Sequence, residues 1–319
     1  MSRTSRNKNL LLSTPYVFQR QLSDFLCLET RLNLRKCSKR CQLLIDSLPL
    51  TLKTFHIYTT DGVVTLKYSE PKTETYHGIE YRMDLLTDAF SHIFLGNTEC
   101  VTRGCMATKV VEDIEIILSN PELKIENLCL TINPEHIKSF QALFLQRMEL
   151  MISSLPHQIN AQKIYLRGPV FRKDYHLLLS RLNAEKLQLV NLTCEMSNDS
   201  LHRISRLEQI KKVPEIFILN SFNRFPFNLL SNTSRLDISV RDISQSEFNL
   251  ILEYYLQQTN FKMAHITVDK NKLEPWVTEF LLQNDALEKD DGMIVSVEGP
   301  KFKNTVEISN HFVVIKRSI

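Results

Sequence analysis

Two pairs of cysteines are the first residues in this sequence whose types and spacing could do chemistry. Cys37 and Cys41 form one pair, and Cys100 and Cys105 form the other. Four thiolates can bind zinc, but paired zinc ligands usually have two residues between them. Cys37 and Cys41 also fall on one apolar helical face, where free thiols pack as small hydrophobic groups. We therefore favour reduced, unliganded cysteines and expect neither a metal nor another cofactor.

Motifs typical of an enzyme are missing from the sequence. The chain contains no H-E-x-x-H, no G-x-S-x-G and no glycine-rich phosphate loop, and its nine histidines are scattered. Only seven glycines are present, which disfavours folds that depend on many tight turns. The sequence predicts a protein without catalytic activity.

Positive charge is concentrated at the start of the chain. The first 53 residues hold ten Lys and Arg against three Asp and Glu, whereas the rest hold 29 against 33. Arg35-Lys36 and Lys39-Arg40 could form a nucleic-acid patch. No interleaved aromatic residues accompany them, so a solvated helix face or a surface for an acidic protein is favoured over nucleic acid.

Three features of the sequence indicate the cellular location of the protein. No secretory leader precedes Ser13, and no apolar stretch approaches the roughly 18 residues of a membrane helix. Seven cysteines, an odd number, occur at irregular spacing. We expect a cytoplasmic or nuclear protein that does not engage a membrane.

The elements that would position a binding surface begin with two helices. Pro15 suits the first turn of a helix on which Phe18, Leu22 and Phe25 recur at helical spacing. A second helix is predicted from the region of Leu32 to Pro49.

A β-hairpin follows, with Asp61-Gly62 at its turn between residues 52–60 and 63–68. We then predict a strand over 75–82, a helix over 84–94, a loop over 97–108 and a helical face over 110–118.

Short apolar strands then alternate with helical patterns to the end of the chain. The strand starts are separated by 20 to 36 residues. They are Leu128–Ile132, Ile164–Gly168, Leu187–Asn191, Ile216–Asn220, Leu236–Val240, Ile266–Lys270 and Ile294–Glu298. The helix after Ser244 opens with a capping box, Ser244-x-x-Glu247.

This rhythm predicts an α/β protein in two parts: a short helical module over residues 10–50 and an irregular leucine-rich-repeat-like strand-helix array over 51–319. Strands would line a concave parallel sheet, and helices would cover its other side. A compact α/β layer fold is the alternative.

The segment Arg31–Arg40, with Pro15 before it and Leu44-Ile45-Asp46 after it, resembles the F-box of the nematode F-box A proteins. Later segments resemble the FTH domain of the same family. These are Ile116–Lys124, Ala184–Leu189, Leu207–Lys212 and Ile243–Phe248, the last running on to Asn260-Phe261.

The resemblance implies a substrate receptor of a Skp-cullin-F-box ubiquitin ligase, in which the F-box docks on an acidic Skp-type adaptor and the FTH region holds a protein target. The implied adaptor-binding residues are Pro15, Phe18, Leu22, Leu32, Leu34 and Arg35. The side chains of Phe18, Leu22, Leu32 and Leu34 could instead form an internal core between the helices and the hairpin.

Target binding is predicted at the end of a repeat strand, because loops at such an edge carry recognition. The candidates are Phe222, Arg224 and Phe225. A second hypothesis is a protein-interaction scaffold with a degenerate F-box and no ligase attached. It is motivated by Thr14 and Ser23, which stand where the family has apolar residues.

Overall fold

The structure is a computed structural model of the chain. It describes residues 14–23, 25–60, 62–71, 75–83, 90–95, 98–133, 138–222, 233–241, 243–268, 275–289, 292–298, 303–309 and 312–317. Within these ranges the helices are α1 Tyr16–Ser23, α2 Leu28–Cys37, α3 Lys39–Ser47, α4 Met106–Leu118, α5 Lys138–Ser154, α6 Lys173–Ser180, α7 Asn198–Ser205, α8 Glu208–Lys212, α9 Gln245–Gln257 and α10 Pro275–Gln283.

The strands of the described residues alternate with these helices. They are β1 Leu50–Thr60, β2 Val63–Ser69, β3 His77–Met83, β4 Phe90–Leu95, β5 Thr98–Arg103, β6 Leu123–Ile132, β7 Ala161–Val170, β8 Leu189–Glu195, β9 Glu215–Phe222, β10 Arg235–Val240, β11 Met263–Val268, β12 Leu287–Lys289, β13 Gly292–Glu298, β14 Lys303–Ile308 and β15 Phe312–Arg317.

The chain divides into two compact units. The first takes the described residues up to Ile57, those from 62 to Asn127 and those from 138 to Asn160. The second takes Tyr58–Thr60, residues 128–133 and the described residues from Ala161 onward. The mixed α/β class is confirmed.

The first unit contains α1–α5 and the strand order β1-β2-β3-β4-β5. The strands from β2 to β5 are antiparallel to their neighbours. The predicted hairpin of β1 and β2 is confirmed, and Gly62 adopts a φ of 72° at its turn. A positive φ is what a type I′ turn requires.

Three predictions in this unit are wrong. Residues 90–94 form a strand rather than the end of a helix, because β4 pairs with β3 on one side and β5 on the other. The predicted loop over 97–108 contains β5 and the start of α4. The second N-terminal helix breaks at Ser38, which is extended and whose hydroxyl accepts a hydrogen bond from the Cys41 amide. Residues 84–89 lie outside the described ranges.

The second unit contains α6–α10 and the strand order β7-β8-β9-β10-β11-β15-β14-β13-β12. The strands from β7 to β11 are parallel, and each crossover passes through helical residues where the chain is described. Beyond β11 every pairing is antiparallel. The prediction that Ile294–Glu298 continues the parallel array is therefore wrong, because β13 forms an antiparallel ladder with β14.

Alternate side chains of β7–β11 form the core of the second unit. One set is almost fully buried and is contributed by every strand: Ile164, Leu166, Val190, Leu192, Ile216, Ile218, Leu236, Ile238, Ala264 and Ile266. Parallel strands connected through helices have those helices packed on a sheet face. The capping box that starts α9 is confirmed by reciprocal bonds between Ser244 and Glu247.

We expect Gln209→Leu to lower the free energy of unfolding by about 1–3 kcal/mol. Gln209 is buried, and its Nε2 donates to the carbonyl oxygens of Ser180 at 3.0 Å and Leu182 at 2.8 Å, at the end of α6. Leucine fills similar volume but leaves these helix-end acceptors without their donor. Urea unfolding measures the loss. Gln146→Leu, at an exposed glutamine of α5, is the matched control, and equal effects of both substitutions would contradict the prediction.

Candidate functional site

Three short helices, α1–α3, form a module at the start of the first unit. Two ion-pair bonds fix α2 against α3: Arg35 Nε lies 2.5 Å from Asp46 Oδ1, and Arg35 Nη2 lies 3.1 Å from Asp46 Oδ2. A bidentate guanidinium–carboxylate pair constrains the relative orientation of its helices. Leu28, Cys41, Ile45 and Leu48 are buried beneath this pair.

Polar contacts fasten the module to the rest of the first unit. The Glu70 carboxylate accepts a hydrogen bond of 2.9 Å from the Leu28 amide at the start of α2. The buried Asn120 side chain donates to the Leu48 carbonyl oxygen at 2.9 Å and accepts from the Glu122 amide at the same distance. The first bond gives the backbone N–H at the start of α2 an acceptor, and the second gives the Leu48 carbonyl oxygen a donor. Together they fix the orientation of the module within the first unit.

Large apolar side chains of the module face solvent. Tyr16, Val17 and Phe18 of α1 are 48%, 66% and 59% exposed. Phe25, between α1 and α2, is 81% exposed, and Leu43 of α3 is 61% exposed. We call these five residues the N-terminal apolar surface. Large exposed apolar side chains make this module a candidate interaction site.

The predicted adaptor-binding residues fall into different environments. Pro15 and Phe18 are exposed. Leu32 and Leu34 of α2 are half-buried, and Leu32 lines a narrow space between α2, α3 and α4. Arg35 is engaged with Asp46 and lines a cleft of about 390 Å³ that Glu112 and Glu115 of α4 also border.

Leu22 belongs to the backbone of α1, but its side chain lies outside the described part. Tyr16, Val17 and Leu43 were missed as candidates. The run Tyr16-Val17-Phe18 was the available signal, because three successive large apolar residues cannot all lie on one face of a helix.

Basic residues lie on α2 and α3 beside the apolar ones. Lys36, Lys39 and Arg40 are exposed. Lys39 Nζ donates to Gln42 at 3.2 Å. On α1, Arg20 Nη2 lies 3.3 Å from Glu122 Oε2 in an exposed ion pair. Exposed cations of this kind steer an acidic partner toward a surface more than they add affinity.

A second candidate surface is the face of β7–β11 opposite the buried one. Its central row follows the strand register: Tyr165 lies beside Asn191, Asn191 beside Phe217, Phe217 beside Asp237, and Asp237 beside His265. All five side chains are half-buried. We call this surface the open face. At the usual strand spacing the row spans about 19 Å.

Contacts within one strand and between neighbouring strands hold the side chains of the open face. The Arg235 guanidinium lies 5.1 Å from the Phe217 ring centroid, and Arg167 lies 5.9 Å from that of Tyr165. His265 Nδ1 lies 3.1 Å from Asp237 Oδ1. Arginine and aromatic groups arranged in this way are the types that dominate interaction hot spots.

Of the predicted target-binding residues, the structure describes only the backbone of Phe222. Phe222 ends β9, and its backbone pairs with Val240 of β10, but its side chain is not described. Arg224 and Phe225 lie outside the described residues. Sequence reasoning missed the open face itself. Its signal was the polar or aromatic residue between the apolar positions of each strand, as in Leu236-Asp237-Ile238.

The cysteines do not assemble into a chemical site in the described part. Cys37 is exposed whereas Cys41 is buried, and no three His, Cys, Asp or Glu side chains among the described residues could hold a metal ion. Burial raises the pKa of the Cys129 thiol to about 11 and that of Cys194 to about 12. Both therefore carry protons at neutral pH and are poor nucleophiles.

We expect His265 to make the stability of the second unit depend on pH. Its hydrogen bond to Asp237 raises the pKa of the imidazole above the ordinary 6.5, so the folded chain binds this proton more tightly than the unfolded chain does. The resulting stabilisation is complete below pH 6.5 and is lost as pH rises through the raised pKa. His265→Gln should therefore destabilise the protein mainly on the acidic side.

Urea unfolding of wild type and His265→Gln, from mildly acidic to mildly alkaline pH, measures this difference. His202→Gln, the same substitution at an exposed histidine of α7, is the matched control. A destabilisation by His265→Gln that is constant across this range would contradict the assignment.

Comparison with known proteins finds a similarity for one part of the chain. No described helix has the length and apolar character needed to cross a membrane. No curated protein matches the chain, and no solved structure matches it. Residues 142–281 match the family model of the FTH domain. The matched range starts within α5 and includes β7–β11, so the strands that carry the open face lie in a region similar to the FTH domain.

Proposed function

We propose that this protein is the substrate-recognition subunit of a Skp-cullin-F-box ubiquitin ligase and has no catalytic activity of its own. The observation that carries the proposal is the N-terminal apolar surface, above all Val17 and Phe18, which α1 turns toward solvent. Burying such side chains in a partner's groove would give the association its main favourable free energy. In this proposal the partner is a Skp-type adaptor.

Charge supports the choice of an acidic partner. Lys36, Lys39 and Arg40 are exposed on the same module as the apolar side chains. Arg35 plays a different part, since its guanidinium is held by Asp46 and orients α2 against α3. We assign Arg35 to positioning Leu32 and Leu34 and assign the attraction of the adaptor to the exposed cations.

The open face is the proposed holding surface for the protein target. The match of residues 142–281 to the FTH domain supports this division of labour, because that domain is associated with F-box proteins. A half-buried sheet face with arginine, aromatic, amide and carboxylate groups can bind a polypeptide through both apolar and hydrogen-bonded contacts.

We place the receptor in the cytoplasm or nucleus. All seven cysteines are free thiols, and Cys37 and Cys100 are exposed. Exposed thiols persist in a reducing compartment, whereas an oxidising one would promote their pairing.

We expect Phe18→Ala to weaken adaptor binding by about 2 kcal/mol, or roughly thirtyfold in Kd. Phe18 is 59% exposed, so its truncation removes contact area from the partner without opening a cavity in the module. Titration of the full chain with a Skp-type adaptor, followed by calorimetry, measures the change. Leu250→Ala, at a leucine of α9 that is 64% exposed, is the matched control.

Circular dichroism of each variant shows whether it is folded. Normal adaptor binding by folded Phe18→Ala would contradict the docking assignment. A folded wild-type chain that does not bind the adaptor would instead favour the second candidate, a protein-interaction scaffold. This alternative is motivated by Thr14 and Ser23, which stand where the F-box family has apolar residues.

A further inference from the structure

Strand β5 is an edge strand of the first unit, with no strand on its outer side among the described residues. Within the part of the chain that the structure describes, β5 stands at the end of the strand order and pairs with β4 alone. Five of its six residues are exposed, and Val101 at its centre is 54% exposed. Half of the backbone N–H and C=O groups of such a strand point away from its only neighbour. They are available to a further strand.

β5 carries Glu99 and Arg103 but lacks the proline and lysine residues that discourage pairing at many edge strands. Its sequence, Thr98-Glu99-Cys100-Val101-Thr102-Arg103, contains no proline, lysine or glycine, and three of its residues are β-branched. By contrast, the terminal described strand of the second unit, β12, has only three residues and so offers little backbone to pair. Gly104, with a φ of 117°, follows β5 directly.

The charged side chains of β5 are complementary to those of a second β5 strand that runs in the opposite direction. Glu99, Val101 and Arg103 lie on one face of the strand, because side chains alternate. In an antiparallel pair with a twofold axis at Val101, Glu99 of each copy lies opposite Arg103 of the other, and the two valines meet at the axis. A shift by one residue in either direction removes both charge pairs. The sequence of the edge thus specifies one register.

We propose that β5 pairs with β5 of a second copy of this chain, antiparallel and centred on Val101. Glu99, the acidic member of each charge pair, is held in place by the neighbouring strand. His92 Nδ1 of β4 lies 2.6 Å from Glu99 Oε1. On β3, the strand on the other side of β4, the Arg82 guanidinium lies 4.6 Å from the Phe94 ring centroid and is paired with Glu80. Opposite charges placed directly across an antiparallel ladder stabilise it.

The size of the strand pair determines how strong the dimer is. Six residues a side bury less area than the roughly 1,200 Å² at the low end of stable protein interfaces. We therefore expect a reversible dimer whose fraction rises with protein concentration. This inference stands apart from adaptor docking, since it uses no residue of α1–α3 and needs no adaptor.

Analytical ultracentrifugation of the full chain over a concentration series tests the pairing. Wild type should shift toward dimer mass as its concentration rises. Glu99→Arg and Arg103→Glu each place like charges opposite one another twice per dimer, so each should raise the dimer Kd about tenfold or more. The double variant Glu99→Arg/Arg103→Glu restores both pairs in reversed order and should dimerise as wild type does.

Glu195→Arg is the matched control, because it makes the same charge reversal at an exposed position of β8, which has neighbours on both sides. It should leave the dimer unchanged. Wild type that stays monomeric throughout the series would overturn the proposal. So would dimerisation of both single variants at wild-type affinity, or a double variant that remains monomeric.

Disulfide formation gives an independent test of the register. With the axis at Val101, Cys100 of one copy lies opposite Thr102 of the other. Thr102→Cys should therefore give a covalent dimer under mild oxidation, seen on a non-reducing gel, whereas Thr98→Cys and wild type should give much less. Equal yields from Thr98→Cys and Thr102→Cys would show that the register is wrong.

Discussion

The alternation of side chains along β7–β11 is the constraint on which the second unit depends. Each strand buries every second residue, so the residues between them must appear on the opposite face. A slip of one position would bury Asp237 and His265 and expose Leu236 and Ile238. The hydrophobic effect therefore fixes the register of the core and, through it, the side chains that the open face presents.

A different principle positions the N-terminal module. Helices of eight to ten residues are marginal on their own, and α1–α3 gain their stability from tertiary contacts. Buried residues such as Leu28 and Ile45 supply the packing, while Glu70 and Asn120 bind backbone groups at Leu28 and Leu48. Val17 and Phe18 of α1 take no part in these contacts and are exposed. Stability and recognition are carried by different residues of one module.

Local signals in the sequence predicted much of the fold. Asp61-Gly62 indicated the hairpin, Ser244 and Glu247 indicated the start of α9, and isolated apolar strands indicated β6–β11. The failures occurred where long-range pairing decides the structure. The sequence of residues 90–94 resembles a short helix, but these residues form a strand because they pair with β3 on one side and β5 on the other. The segment at Ile294 resembles another repeat strand, but it pairs with β14 in an antiparallel ladder. For the candidate site, charge density indicated the N-terminal module, but exposure of Tyr16 and Val17 depends on packing that no local pattern encodes.

The position of β15 has a consequence for the synthesis of this protein. β15 is the last described strand, yet it lies between β11 and β14, and β12–β14 leave the ribosome before it. Until β15 emerges, the ladder of β13 and β14 has no strand through which to join β11. The nascent chain therefore carries an unpaired edge on β11 until β15 has emerged, and loss of Phe312–Arg317 would leave that edge open to aggregation.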